Sequence, residues 1–290
     1  MKKILVPIDY SAYSENAVHY AIEIAKKINA DIHLFHGLEI PELVPMAGVM
    51  MWPVENFADI QEDSDEDLSR YIDHLKTIPG MASPYFPNIT FSSETGSVKQ
   101  ILDKLTSENH FDVIIMGLAG AGKLDQFLLG SNSRQVIEKT KVPVLLIPKE
   151  AVYEPFKKIA FATDLSESDL NSIYAIARLF CLFDPEILLA HVDEKLSDFH
   201  DPRTPANLFL NRVTCKLNYA KIYYRHINAT SIEDGLSWLT ENGQINILGM
   251  IHRHTSLFSR ILEGSHTQKL ARSIKVPLLV MPEDKTPIGW

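Results

Sequence analysis

The chain has 290 residues, 46% of them hydrophobic and 22% charged, the composition of a water-soluble globular protein with room for two ordinary domains. Its formal net charge of −9 argues against general binding to nucleic acid or to anionic membranes. No apolar run approaches the roughly 20 residues that span a bilayer, and two cysteines, Cys181 and Cys215, fit a reducing compartment, so a cytoplasmic location is expected.

The first half alternates strand and helix in chain order. ILVPI (4–8) is a short unbroken apolar run, too short for an export signal and expected as a buried strand. Residues 12–30 place Ala17, Tyr20, Ala21, Ile24, Ala25 and Ile28 at helical spacing behind Ser11, a suitable N-cap. There follow strand DIHLFH (31–36), a helix over about 59–75, strand ITFSS (89–93) and a helix from 98 to about 107. Strand DVIIMG (112–117), a helix from Ser131 and strand PVLLIP (143–148) complete the set. The acidic stretch 62–67 reads as a solvated helix start, and the apolar, Met-rich segment 40–57 as a lid, a partner patch or simple packing.

The second half repeats the first. KKILVPIDYS from Lys2 returns as KKIAFATDLS from Lys157, pairing Asp9 with Asp164, Ser11 with Ser166 and His36 with His191. Later, GSNS at Gly130 matches GSHT at Gly264, and VPVLLIP at Val142 matches VPLLVMP at Val276. Two α/β domains are expected, over 1–149 and 156–286, with a short linker bracketed by Pro148 and Pro155. Each would be a doubly wound five-stranded parallel sheet, with its ligand beyond the carboxyl ends of the strands. The two apolar final strands are expected to pair antiparallel, 144–147 with 278–281, as an intramolecular pseudo-dimer; further homodimerisation is left open.

After DVIIM the first copy runs GLAGAGKLDQFLLGSNS. Gly117 and Gly120 lack a Cβ and let backbone approach a ligand, while the amides of Ser131, Asn132 and Ser133 open a helix and suit an anion. The serine hydroxyls can add donors. The stretch 117–123 is nearly a Walker A loop, but Leu124 stands where magnesium needs a hydroxyl.

The spacing G-x2-G-x9-G-S resembles the nucleotide motif of ATP-binding universal stress proteins. So do Pro7-x-Asp9 after the first strand, His36-Gly37 and His191-Val192 after the second, and the closing VPVLLIP. That resemblance implies an adenine nucleotide alpha-hydrolase-like fold and a role in stress response or signalling. It implies ATP, with or without magnesium, bordered by Pro7, Ile8 and Asp9. The base would lie near Gly37, the ribose and phosphates at Gly117 and Gly120, and the phosphates at Gly130, Ser131, Asn132 and Ser133. The second copy reads as degenerate: Gly249 stands for Gly117, His252 replaces the second glycine, and the gap to Gly264 is two residues longer. His252, His254 and His266, with His191, are a candidate cluster for polar filling, phosphate contact or metal. Two other functions compete with pure nucleotide binding. One is a slow ATPase or self-phosphorylating enzyme using Asp9 and Ser131 or Ser133; the other is a partner-binding scaffold.

Overall fold

The computed structural model describes residues 2–38, 57–78, 86–119, 130–193, 205–252 and 275–283. In the first half these form β1 (Lys2–Ile8), α1 (Ala12–Ile28), β2 (Ala30–Leu38), α2 (Phe57–Thr77), β3 (Ile89–Thr95), α3 (Val98–Glu108), β4 (Val113–Gly117), α4 (Ser131–Lys139) and β5 (Val144–Ile147). In the second they form β6 (Lys158–Ala162), α5 (Glu167–Leu179), β7 (Glu186–Asp193), α6 (Pro205–Lys216), β8 (Ile222–Asn228), α7 (Ile232–Asn242), β9 (Ile247–Ile251) and β10 (Leu278–Met281). The elements fall where hydrophobic period places them. Asn29 stops α1 two residues early, because it turns left-handed (φ 54°) and closes its N–H on Ala25 O. The acidic stretch 62–67 sits inside α2 rather than at its start.

The ten strands among the described residues join one sheet in the order β3-β2-β1-β4-β5-β10-β9-β6-β7-β8. Every pairing is parallel except that of β5 with β10, where Val144, Leu145 and Leu146 face Val280, Leu279 and Leu278. The final strands of the two halves therefore meet antiparallel, with Leu145 opposite Leu279. An apolar layer covers each face of the sheet, and each layer contains residues of both halves. The seam is thus continuous core: Val144 to Ile147 and Leu278 to Met281 are all buried.

The segment between the halves is held by named contacts. Asn16 of α1 donates to Pro148 O (2.9 Å) and Ala151 O (2.9 Å), and Tyr20 donates to Val152 O (2.9 Å). Tyr20, Tyr153, Phe156 and Phe180 then stack edge to face at 5.3–5.6 Å, an aromatic ladder running from α1 to the end of α5.

In each half the strand order reverses beside the first strand, between β1 and β4 and between β6 and β9. In a doubly wound sheet the crevice opens at this reversal, outside the carboxyl ends of the strands.

Candidate functional site

The loop leaving β1 is built by its own side chains. Pro7 and Ile8 are buried at the strand end, and Asp9 and Tyr10 emerge exposed. Asp9 Oδ1 accepts from Ser11 N (3.1 Å) and Ser11 Oγ (2.5 Å), while Ser11 caps α1. The Asp9 N–H donates to Ser14 Oγ at 3.3 Å. Tyr10 is left-handed, with φ 56°. On the next strand, His36 Nδ1 lies 2.7 Å from Ile8 O. A carbonyl only accepts, so Nδ1 carries the proton and the imidazole ties the ends of β1 and β2 together.

The second half repeats the backbone bonds of this turn, while Ser166 Oγ pairs with Ser168 Oγ (3.0 Å) instead of capping the helix. Asp164 Oδ1 accepts from Ser166 N (3.1 Å), Leu165 is left-handed (φ 66°), and His191 Nδ1 donates to Thr163 O (2.9 Å). Here the Asp164 N–H meets Asp169 Oδ2 (3.2 Å), a buried carboxylate that also takes the Thr163 hydroxyl at 2.5 Å. Asp169 thus does the work of Ser14. The histidine lock and this Ser14–Asp169 exchange escape a reading by motif, although the repeat superposes them residue for residue.

On the other side of β1, Gly117 ends β4. A Cβ there would stand 2.7 Å from Tyr13 Cβ and 2.9 Å from Ala119 O, so no side chain fits. The chain returns at Gly130, whose N–H donates to Leu118 O (3.1 Å), and α4 starts at Ser131. Its first intrahelical bond runs from Arg134 N to Gly130 O (3.0 Å). The amides of Ser131, Asn132 and Ser133 therefore precede the helical ladder and point out of its positive end. Ser131 and Asn132 are exposed. Ser133 is buried, and its hydroxyl donates to Gly117 O at 3.0 Å. That hydroxyl braces the glycine carbonyl at the end of β4.

The structure thus gathers Pro7, Ile8, Asp9, Gly37, Gly117, Gly130, Ser131, Asn132 and Ser133 at one end of β1, β2 and β4. Gly120, Lys123, the Met-rich residues 40–56, His254 and His266 lie outside the described residues. Gly37 has a packing reason of its own: a Cβ there would meet Ile101 Cδ1 at 3.2 Å. In the second half the pair is exchanged, for Val192 lies on the strand and Gly235 on the helix, where a Cβ would come within 2.5 Å of Val192 Cγ1.

The ladders also realign the second motif. Ile114 and Gly117 pair with Val144 and Ile147, as Leu248 and Ile251 pair with Leu278 and Met281. Leu118 N–H bonds Ile147 O (2.9 Å), as His252 N–H bonds Met281 O (2.8 Å). The counterpart of Gly117 is therefore the buried Ile251, not Gly249, and that of Leu118 is His252. Gly249 sits within β9 against Phe161, with Phe161 Cδ2 3.2 Å from where its Cβ would be. Gly117 to Gly130 and Ile251 to Gly264 are then equal spans in sequence, an isoleucine stands where the first half has its leading glycine, and His254 falls at the position of Gly120. His191 stacks on His226 (centroids 6.0 Å, 16°), and no group of three metal-ligating side chains occurs among the described residues.

Comparison with known proteins agrees with this architecture. The family model of the universal stress protein family matches residues 1–148. A universal stress protein of Methanocaldococcus jannaschii is 26% identical over 148 residues, 51% of this chain and 82% of its own. One from Synechocystis sp. is 25% identical over 297 residues, covering 96% of this chain and 99% of its own. The crystal structure of a universal stress protein from Archaeoglobus fulgidus superposes with a TM-score of 0.68 at 20% identity, over 97% of this chain and 98% of that one. Among the described residues no helix is long and apolar enough to cross a membrane.

Proposed function

The chain belongs to the universal stress protein family, and from that premise we propose that it is a stress-response protein whose first half binds one adenine nucleotide, ATP with or without magnesium. The phosphates would lie on the amides of Ser131, Asn132 and Ser133, which precede the helical ladder, so that their N–H groups and the helix dipole favour an anion. The ribose would pass over the bare backbone of Gly117 and Gly120, and the base would rest by Asp9, the Ile8 backbone and Gly37. The second half would serve as a nucleotide-free companion domain, its copy running over about 156–286, and the two halves would act as an intramolecular pseudo-dimer in the cytoplasm.

The observation that carries this reading is the difference at one strand end. Gly117 leaves the floor of the first crevice without a side chain, whereas Ile251 stands at the same place in the second. Calorimetric titration of the full chain with ATP tests it. One nucleotide per chain is expected; two equivalent sites, or no binding, would overturn it.

A further inference from the structure

Tyr71, on α2, carries a buried hydroxyl with no hydrogen-bond partner among the described residues. A buried donor left unmade is costly, and in a native fold it calls for a missing partner. Its surroundings say where that partner arrives. The Tyr10 ring stands edge-on to Tyr71 with centroids 5.9 Å apart, and lies 5.2 Å from the ring of His36. His36 in turn is fixed to Ile8 O, at the strand end where the base is placed. Tyr10 is the outer member of this trio: 38% exposed, on a left-handed residue beside Asp9. Its counterpart in the second half is Leu165, so no aromatic ring takes that place there.

Resting on the nucleotide reading above, we propose that the Tyr71 hydroxyl donates a hydrogen bond to a ring nitrogen of the bound purine, and that the Tyr10 ring shifts to let the base reach it. Tyr71 would then be a specificity residue, because a pyridine-type nitrogen is an acceptor that a C–H cannot imitate. Burial, with Glu15 and Tyr10 close by, raises the Tyr71 hydroxyl well above the ordinary tyrosine range, so it stays a donor at any physiological pH.

The test uses the full-length chain, ATP, and its 1-deaza, 3-deaza and 7-deaza analogues in calorimetric titration, alongside Tyr71→Phe. Wild type should bind ATP about tenfold more tightly than Tyr71→Phe, the worth of one ordinary hydrogen bond. One of the three analogues should lose a similar factor on wild type and nothing further on Tyr71→Phe, the signature of a shared contact. Thermal unfolding of Tyr71→Phe without nucleotide should match or exceed that of wild type, since an unpaired polar group has been removed. ATP binding that is equal in both proteins sinks this inference and leaves the nucleotide reading intact. Equal binding of all three analogues to wild type does the same, as does a less stable Tyr71→Phe, which would mean the hydroxyl already has a partner. Absence of ATP binding to wild type sinks both.

Discussion

The two halves of the sheet hold the same turn and different floors. After β1 and after β6 the chain makes one turn with one set of bonds: an aspartate accepting from a serine amide, a left-handed residue, and a histidine locked to the strand-end carbonyl. Substitution is tolerated where the bond survives, as Asp169 for Ser14 shows. At the ends of β4 and β9 the two halves differ outright: the buried Ile251 stands at the register position of Gly117. Bonding geometry is what the fold needs, and empty space is what a ligand needs. The second half keeps the same bonds and places an isoleucine side chain where the first half has none.

The most severe way to break the contrast is to carry the second half's residue into the first. Gly117→Ile must clash with Tyr13 and Ala119, so no heat of ATP binding should remain, and denaturant melts should show a loss of about 1–3 kcal/mol from overpacking. The exchanged pair sharpens the same point. Gly235→Ile should cost about 2–3 kcal/mol against Val192, and Val192→Gly in the same chain should restore much of it, recreating the Gly37–Ile101 arrangement. A double-mutant cycle by urea unfolding measures the coupling.

Acid should separate the halves further. His33 of β2 is held neutral, its pKa lowered to about 4 by burial first and then by Lys3, with Glu94 acting in the opposite sense. Its ring nitrogens lie 2.9 Å from Thr90 Oγ1 and 3.2 Å from Ser92 Oγ. Leu188 occupies the equivalent place in β7. Because the folded pKa is depressed, the unfolded chain takes the proton first. The contribution is therefore whole above pH 6.5 and is lost as pH falls from there to about 4. Allowing for solvent screening, about 2 kcal/mol of acid sensitivity should vanish in His33→Leu, read from unfolding at pH 7 and pH 4.5. The smallest effect is expected of Ser133→Ala, which leaves Gly117 O without its 3.0 Å donor: about 1 kcal/mol of stability and a two- to threefold weaker ATP titration.

Much of the fold was legible because buried parallel strands write themselves as unbroken apolar runs, and ILVPI and VPVLLIP can hardly be anything else. The seam was legible for the same reason, since two apolar final strands need a partner. The candidate site was harder. Matching glycine to glycine put Gly249 against Gly117, but a ladder is aligned by its hydrogen bonds, and these set Gly117 against Ile251. Side-chain identity misleads wherever a glycine inside a strand serves packing, as Gly249 does against Phe161. The bracing bond of Ser133 is hidden for a related reason: its position in the motif says nothing of the Gly117 carbonyl that its hydroxyl reaches. Tyr71 could not be found from sequence at all, since only the folded chain brings α2 against the β1 loop.

The β5–β10 seam has a consequence for how such a chain can change over generations. Two separate copies of one polypeptide, meeting through the same strand, must carry identical crevices, so a substitution that closes one closes both. Joined head to tail, each copy owns its own codons. The later one can lose its glycine while still supplying the strand that completes its neighbour's sheet. Fusion removes that symmetric requirement, and Ile251 opposite Gly117 is a difference that a joined chain can hold.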